Sequence, residues 1–217
     1  PHMGNPEAKV VLVEFADFQC PHCKLASEVM AKVAKKYDDK IAFYYKHYPL
    51  PFHPQAEKAA VASYAAHKQG KFWPMHDLIF ANQDSLSPAK LKSFAQQLGL
   101  NMDKFEADLK NPEVIQMVAT DKAEGEKAQI DGTPALFVNG KRYMGEKSVE
   151  EVSKYIDNLD GTYRVVYRAP AAGQYTIFVS FAGTFGGAAG ELRGSPFKVN
   201  FEDTAASAND LQGPVVT

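Results

Sequence analysis

Two cysteines, Cys20 and Cys23, are the only ones in the chain, and they lie in the stretch FADFQCPHCK with two residues between them. Pairs with this spacing occur in zinc sites, in structural disulfides and in redox-active dithiols. A zinc site takes about four ligands, and the sequence offers neither a second cysteine pair nor histidines at a metal-like spacing. A disulfide across so short a loop would constrain little of the unfolded chain. The pair therefore indicates a working dithiol, and we expect no metal and no other cofactor.

The elements next to the pair predict that it opens a helix. A β-branched run of strand length, residues 9–15 (KVVLVEF), stops just before the cysteines. Pro21 suits a first helical turn, because its missing N–H has no intrahelical partner there. Apolar residues then recur at helical spacing at Leu25, Val29, Val33 and Tyr37. Backbone N–H groups and the helix dipole at such an N-terminus favour a thiolate, so we expect a lowered pKa for Cys20.

The following pattern predicts an α/β domain with a long helical segment. Residues 41–47 (IAFYYKH) form a second strand pattern, and residues 54–129 are helical almost throughout. Four interruptions, near Gly70, Ser87-Pro88, Gly99 to Asn101 and Asn111-Pro112, divide that segment into four or five helices. Residues 135–138 and 141–144 then predict a hairpin about Asn139-Gly140. A last helix begins at Ser148, with Glu151 completing a capping box.

The composition of the chain limits which kinds of partner it can bind and how its residues are divided into segments. The 217 residues are 45% apolar and 23% charged with a formal charge of −2, which argues against disorder and nucleic-acid binding. No apolar run approaches the ~20 residues of a membrane helix. Pro1, His2 and Met3 resemble a protease-site and cloning remnant, so we assign residues 1–8 to a tag remnant and lead-in.

Composition changes near residue 158. Lys198 is the only lysine after Lys154, and eight of the 15 glycines fall between residues 161 and 213. Alternating apolar residues predict three half-buried strands in this second part, about Tyr163 to Tyr167, Tyr175 to Phe181 and Phe197 to Phe201. We therefore place a domain boundary there, with domains 9–158 and 159–217.

The strings VEFADFQCPHCK, YKHYPLPFHPQA and DGTPALFVNGKRYMGE, in this order around a helical segment, carry a resemblance to a known family. Residues 9–158 resemble the DsbA-like branch of the thioredoxin superfamily. The resemblance implies a thioredoxin fold of the α/β class with an all-helical insertion at about 52–129. It also implies an extracytoplasmic location such as the periplasm.

The resemblance assigns roles at the dithiol. Cys20 is the nucleophile and Cys23, less exposed one helical turn further on, is the resolving thiol. His22 lies between them and adds an N–H donor or positive charge near the sulfur. Pro21 belongs with the substrate-contacting residues.

Three further residues enter the site through the same resemblance. Glu14, a carboxylate in an apolar strand, is costly to bury; we expect burial to raise its pKa and the group to exchange a proton with Cys23. Thr133 and Pro134 form a cis-proline turn that faces the dithiol and offers backbone groups to a peptide. Asp17 is interpreted as a loop cap or solvated turn residue. Four histidines are interpreted as helix-surface or structural residues: His47, His53, His67 and His76.

The function implied is thiol-disulfide exchange with cysteine-containing polypeptides, as a DsbA-like oxidase that a redox partner re-oxidises. A disulfide reductase or isomerase uses the same dithiol in another direction, and only the reduction potential separates them. A different class stays open: a scaffold protein in which the second part binds partners by strand addition and the first part is a carrier.

Residues 160–217 resemble part of a filamin-type immunoglobulin-like repeat, through DGTYRVVYRAPAAGQYTIFV and GSPFKVNF. The similarity covers only the last three strands of such a repeat, and three strands are marginal alone. We interpret the chain as a chimera of an oxidoreductase and an incomplete β-sandwich. An uncovered apolar face would then be covered by the first domain or by a strand-exchanged homodimer.

Overall fold

The structure is a computed structural model that describes residues 1–159 in full and, beyond them, the backbone of four strands. The chain divides into two compact units, Pro1–Ile156 and Asp157–Thr217, and each is described by itself. Among the described residues, no helix combines the length and the apolar character needed to cross a membrane.

A five-stranded mixed sheet organises the first unit. Its strands are β1 (His2–Gly4), β2 (Val10–Ala16), β3 (Ile41–His47), β4 (Ala135–Val138) and β5 (Lys141–Arg142). Their order in the sheet is β1-β3-β2-β4-β5, with β2 parallel to β3 and antiparallel to β4. The strand patterns at 9–15 and 41–47 are confirmed to within one residue. Strand β1 was not predicted, because three residues carry no periodic signal.

Seven α-helices are described: α1 (Pro21–Tyr37), α2 (Ala56–His67), α3 (Phe72–Ala81), α4 (Pro88–Gln97), α5 (Met102–Asp108), α6 (Pro112–Lys127) and α7 (Val149–Leu159). The first six lie within the first unit, and α7 ends three residues beyond its boundary. Helices α2 to α6 all lie between β3 and β4, which confirms the thioredoxin fold with a helical insertion. The side chains of Ser87, Asn101 and Asn111 each accept a hydrogen bond from a backbone N–H in the first turn of α4, α5 and α6. These caps account for three of the four predicted interruptions, and at the fourth Gly70 has a φ of 73° between α2 and α3.

The second half of helix α1 buries the predicted residues Val33 and Tyr37, but its first turns bury a different set from the predicted one. The buried residues include Cys23, Ala26 and Met30, whereas Leu25 is 62% exposed. Small side chains at the start of α1 allow the helix to pack closely, and Leu25 points away from that contact. The spacing predicted the helix correctly but not which of its early residues are buried.

The loop between β2 and α1 is anchored in the core of the insertion. Phe18 is buried and its ring lies 4.9 Å from that of Phe80 in α3 and 5.9 Å from that of Tyr45 in β3. Aromatic contacts of this kind stabilise a fixed geometry as well as burying area. The insertion therefore helps to position the segment that carries the cysteines.

The hairpin and the last helix form as predicted, apart from one boundary. Asn139 and Gly140 have φ of 47° and 76°, the positive values that a type I′ turn requires. Strand β5 ends at Arg142, two residues earlier than predicted. Ser148 Oγ accepts a hydrogen bond of 3.2 Å from the Glu151 N–H, which confirms the cap.

The second unit contains four described strands in two pairs. Gly173–Ile177 (β6) pairs antiparallel with Phe197–Phe201 (β9), and Ser180–Phe185 (β7) pairs antiparallel with Ala188–Glu191 (β8). The strand predicted at 175–181 thus contributes to two sheets, because β6 and β7 have different partners. The strand predicted at 163–167 and the filamin-type assembly lie outside the described residues. The strand-exchanged homodimer stays a prediction, which gel filtration with and without residues 160–217 tests.

Candidate active site

Cys20 stands at the N-cap of α1, where the preceding loop meets the helix. Its backbone is extended, with φ −76° and ψ 120°, and Pro21 follows in the first turn. The residue is 6% exposed, and Sγ lies 3.3 Å from the Thr133 carbonyl oxygen, to which the protonated thiol donates. The pKa of Cys20 is lowered to about 5, chiefly by a hydrogen bond from the Cys23 thiol. Burial opposes this change, while Thr133 and the N–H groups of Cys23 and His22 add to it.

Cys23 lies one turn further along α1 and is fully buried. Its sulfur accepts a hydrogen bond of 3.4 Å from the backbone N–H of Asp17. Burial strongly raises the pKa of Cys23, and its hydrogen bond to Cys20 raises it further. Both cysteines are free thiols, so two identical groups one turn apart have pKa values displaced in opposite directions.

Glu14 lies on β2, the central strand, with Tyr45 of β3 and Leu136 of β4 as its register partners. It is 2% exposed, and burial raises its pKa to about 8, opposed by the charge of Lys147. This is the direction that the sequence predicted. The carboxyl group also interacts electrostatically with Cys23 and raises the pKa of that thiol. At neutral pH a protonated acid therefore lies within the electrostatic range of the buried sulfur.

The turn before β4 brings Thr133 and Pro134 to the dithiol from more than 100 residues away. The Thr133-Pro134 bond is cis, as the resemblance implied. The Thr133 carbonyl contacts Cys20, and its hydroxyl lowers the pKa of both cysteines. That hydroxyl is buried and acts on both sulfurs from close by, although no atom in the described part of the chain meets the full geometry of a hydrogen bond with it.

An open groove of about 450 Å³ runs beside this turn. It is lined by His22, Leu25, Ala26, Thr133, Pro134, Gly145, Glu146 and Lys147. The His22 side chain is exposed there, while its backbone N–H faces the Cys20 sulfur. Pro21 is exposed at the start of α1 and is not part of the lining. The sequence placed His22, Thr133 and Pro134 at this surface but gave no signal for the lining residues after β5.

A family model described as thioredoxin matches residues 1–158. The chain belongs to the thioredoxin family. A solved thioredoxin-like oxidoreductase from Silicibacter pomeroyi is 26% identical, with a TM-score of 0.64 over 75% of this chain and 93% of that one. The thiol-disulfide exchange protein α-DsbA2 from Wolbachia pipientis is 22% identical, with a TM-score of 0.67 over 73% and 86%. At that identity the second similarity concerns the fold alone, and both agree with a DsbA-like thioredoxin fold.

Curated relatives match the same region. The Na(+)/H(+) antiporter NhaA 3 of Salinispora tropica is 39% identical over 154 residues, which are 70% of this chain and 24% of that protein. The chain thus spans about a quarter of the length of the curated relatives it matches.

In this thioredoxin-family site Asp17 differs from its sequence-based interpretation as a solvated residue. It is 1% exposed, and its carboxylate accepts hydrogen bonds from the N–H groups of Gln19 at 2.6 Å and Leu50 at 2.7 Å. The His53 ring nitrogen Nδ1 lies 2.8 Å from the same carboxylate. The loop cap is confirmed, but the residue is enclosed because residues 50–53 fold over it.

Two more residues near the dithiol were not found from the sequence. The buried Gln83 side chain donates to the carbonyl oxygens of Phe18 at 2.8 Å and Cys20 at 2.9 Å. The Tyr45 hydroxyl is buried without a partner among the described residues, and it interacts electrostatically with Cys23 and Glu14. Sequence alone gives neither the strand register nor the loop packing that brings these residues here.

The histidines further along the chain are structural, as interpreted. His47 Nε2 lies 2.9 Å from Ser63 Oγ, and His76 Nδ1 lies 2.8 Å from Asp77 Oδ1. Both rings are buried among aromatic side chains, and burial lowers the pKa of each. These residues therefore stabilise the insertion and are not part of the dithiol site.

Proposed function

We propose that this protein is a thiol-disulfide oxidoreductase that oxidises cysteine-containing polypeptides through its CPHC dithiol. The single observation that carries the proposal is the geometry of the dithiol: Cys20 stands at the N-cap of α1 against the Thr133 carbonyl, and Cys23 is buried one turn further on. This geometry lowers the pKa of Cys20 and raises that of Cys23. A stabilised thiolate is a good leaving group and lowers the free energy of the reduced form. The Cys20–Cys23 disulfide is then easily reduced, which makes it an oxidant of other thiols.

The reaction begins with the protein in its disulfide form. A substrate thiolate attacks Cys20 Sγ, the bond to Cys23 breaks, and a mixed disulfide forms between Cys20 and the substrate. A second substrate thiolate then attacks the substrate sulfur of that bond, and Cys20 leaves as a thiolate. The substrate gains a disulfide, and the protein gains two electrons and keeps them as a dithiol until a redox partner removes them.

Glu14 is the group that we assign to the proton of Cys23. When Cys23 leaves, its sulfur is a buried thiolate with a raised pKa, so it takes up a proton. Glu14 is protonated at neutral pH and interacts with that sulfur. General acid–base groups operate best when their pKa lies near the working pH.

The groove beside Thr133 and Pro134 is where we place the polypeptide. Its lining combines the exposed apolar Leu25 with the charged Glu146 and Lys147. The Thr133 backbone and the exposed His22 lie at the end nearest the nucleophile. An extended peptide there would present its cysteine to Cys20.

An extracytoplasmic compartment, such as the periplasm, fits this chemistry best. Cytosolic thiol pools keep dithiols reduced, and a strongly oxidising disulfide would not persist there. We therefore propose that the protein acts outside the cytoplasm and is re-oxidised by a partner in that compartment.

Insulin reduction by dithiothreitol, compared between the wild type and Cys20→Ser, tests the proposal. We expect turnover that depends on Cys20; turnover that is equal in both would support the scaffold alternative instead. The reduction potential then decides the direction. A value near that of DsbA, about −120 mV, supports an oxidase, and one near that of thioredoxin, about −270 mV, supports a reductase.

A further inference from the structure

The backbone of Asp17 is in direct contact with the resolving thiol. Its N–H donates to Cys23 Sγ at 3.4 Å from outside α1, and this hydrogen bond lowers the pKa of the thiol. A hydrogen bond to sulfur stabilises the thiolate more than the thiol. The position of this N–H therefore affects how readily Cys23 reacts.

The side chain of Asp17 fixes that position through three contacts. Oδ1 accepts from the Gln19 N–H at 2.6 Å, and Oδ2 accepts from the Leu50 N–H at 2.7 Å. Oδ2 also lies 2.8 Å from His53 Nδ1. Because a carboxylate can only accept, Nδ1 carries the proton in this contact. The Asp17 side chain is fully buried, so each donor offsets part of its desolvation.

His53 is the accessible end of this arrangement. Its side chain is 19% exposed, and it belongs to the segment after β3 that folds over the dithiol loop. A second link joins the same two segments, since Gln55 N–H donates to Gln19 Oε1. Loss of the His53 contact would loosen Asp17 without removing a core side chain.

We propose that Asp17 and His53 are a positioning pair that holds the Asp17 N–H on the Cys23 sulfur and thereby sets the rate of the resolving step. This rests on the proposed function, in which Cys20 reacts first and Cys23 second. In the direction of re-oxidation, Cys23 attacks Cys20 Sγ of a mixed disulfide. The Cys20–Cys23 bond forms, the other thiol leaves with the proton, and two electrons pass to it.

Reaction of the reduced protein with oxidised glutathione separates the two steps. Acid quenching and mass spectrometry follow formation of the Cys20–glutathione disulfide and then its loss as glutathione is released. In His53→Ala we expect the second step to slow about fivefold to tenfold. The first step and the Cys20 thiolate pKa, read from absorbance against pH, stay at their wild-type values. In His53→Gln, whose amide keeps an N–H donor, part of the second-step rate returns.

A second histidine–carboxylate pair in the chain provides a matched control. His76 Nδ1 and Asp77 Oδ1 are also 2.8 Å apart, and the Asp77 side chain is 76% exposed on α3. The His76 ring packs against Phe18, but neither residue of this pair forms a hydrogen bond with Asp17 or Cys23. Asp77→Asn leaves both steps unchanged if the proposal is right.

The proposal is overturned if the second step of His53→Ala has the wild-type rate. It is also overturned if both steps of His53→Ala slow equally, or if the second step slows as much in Asp77→Asn as in His53→Ala. If His53→Ala does not fold, His53→Leu replaces it, because leucine fills the site without a donor; an unchanged second step in His53→Leu overturns the proposal equally. Failure of the proposed function is distinct, since the wild type would then form no mixed disulfide at Cys20.

Discussion

The two sides of the dithiol show how one chemical group acquires two reactivities. On the groove side, Cys20 meets donors from Cys23, Thr133 and the start of α1, and its pKa falls to about 5. On the core side, Cys23 is fully buried, and burial raises its pKa despite the Asp17 N–H. Position within one helical turn, and not residue type, decides which thiol attacks and which one resolves.

Removal of the core-side thiol produces the largest expected effect. In Cys23→Ala the mixed disulfide at Cys20 has no resolving thiol, so we expect the rate at which that mixed disulfide is resolved within the protein to fall by roughly 10³-fold or more. The thiol donor to Cys20 is also lost, and the Cys20 pKa should rise from about 5 to roughly 6–7. Cys23→Ser keeps a hydroxyl donor and serves as the control. Equal Cys20 pKa values in the wild type and Cys23→Ala would show that the two sides are not coupled.

Glu14→Gln tests the proton assigned to the core side. The amide cannot exchange a proton, so we expect the Cys23 step with oxidised glutathione to slow roughly 10–100-fold near neutral pH. Formation of the mixed disulfide at Cys20 should be unaffected. The same quenched reaction measures both, and equal rates in variant and wild type would remove Glu14 from the proton transfer.

The pH dependence of the free energy of unfolding distinguishes Glu14 from Cys20 in the reduced protein. The pKa of Glu14 is raised, so its contribution is present at low pH and is lost as pH rises towards about 8. The pKa of Cys20 is lowered, so its contribution is lost as pH falls from the range of a free thiol, near 8.5, towards about 5.

Between pH 5 and 8, Glu14→Gln should therefore gain stability relative to the wild type, by roughly 2–4 kcal/mol at pH 8. Cys20→Ser should lose stability relative to the wild type over the same range. Urea unfolding under reducing conditions measures both. Parallel pH profiles for the two variants would contradict a raised pKa for Glu14 together with a lowered pKa for Cys20.

Thr133→Val is the mildest change on the groove side. It removes a hydroxyl that has no hydrogen-bond partner among the described residues, so we expect little loss of stability. Because that hydroxyl favours the thiolate, the Cys20 pKa should rise to roughly 5.5–6. Thiolate absorbance against pH measures the change, and Thr133→Ser, which keeps the hydroxyl, should match the wild type.

Local patterns were sufficient for much of the fold. The strand before Cys20, the helix at Pro21, the breaks in the insertion and the Asn139-Gly140 turn all depend on residues close in sequence, where propensity and capping act. The cis bond at Pro134 came from the resemblance, since the local sequence DGTP predicts only a turn.

Contacts between distant segments could not be predicted in the same way. Asp17 reads as a turn residue because its partners, Leu50 and His53, approach only after β3 is paired. Tyr45 reads as a strand aromatic because its neighbour Glu14 follows from the strand register and its neighbour Cys23 lies on α1. Asp17 accepts hydrogen bonds from these partners, and Tyr45 interacts electrostatically with its two titratable neighbours. Both roles depend on tertiary packing, which the local sequence does not show.

The central claim is that the protein stabilises the Cys20 thiolate and not that of Cys23. The most direct test is the thiolate absorbance near 240 nm of the reduced protein, titrated between pH 3 and 9, with Cys20→Ser as the reference. We expect one transition with a midpoint near pH 5 in the wild type, which is absent from Cys20→Ser. A midpoint above about 8, the range of an unperturbed thiol, would contradict the claim and remove the oxidase mechanism with it.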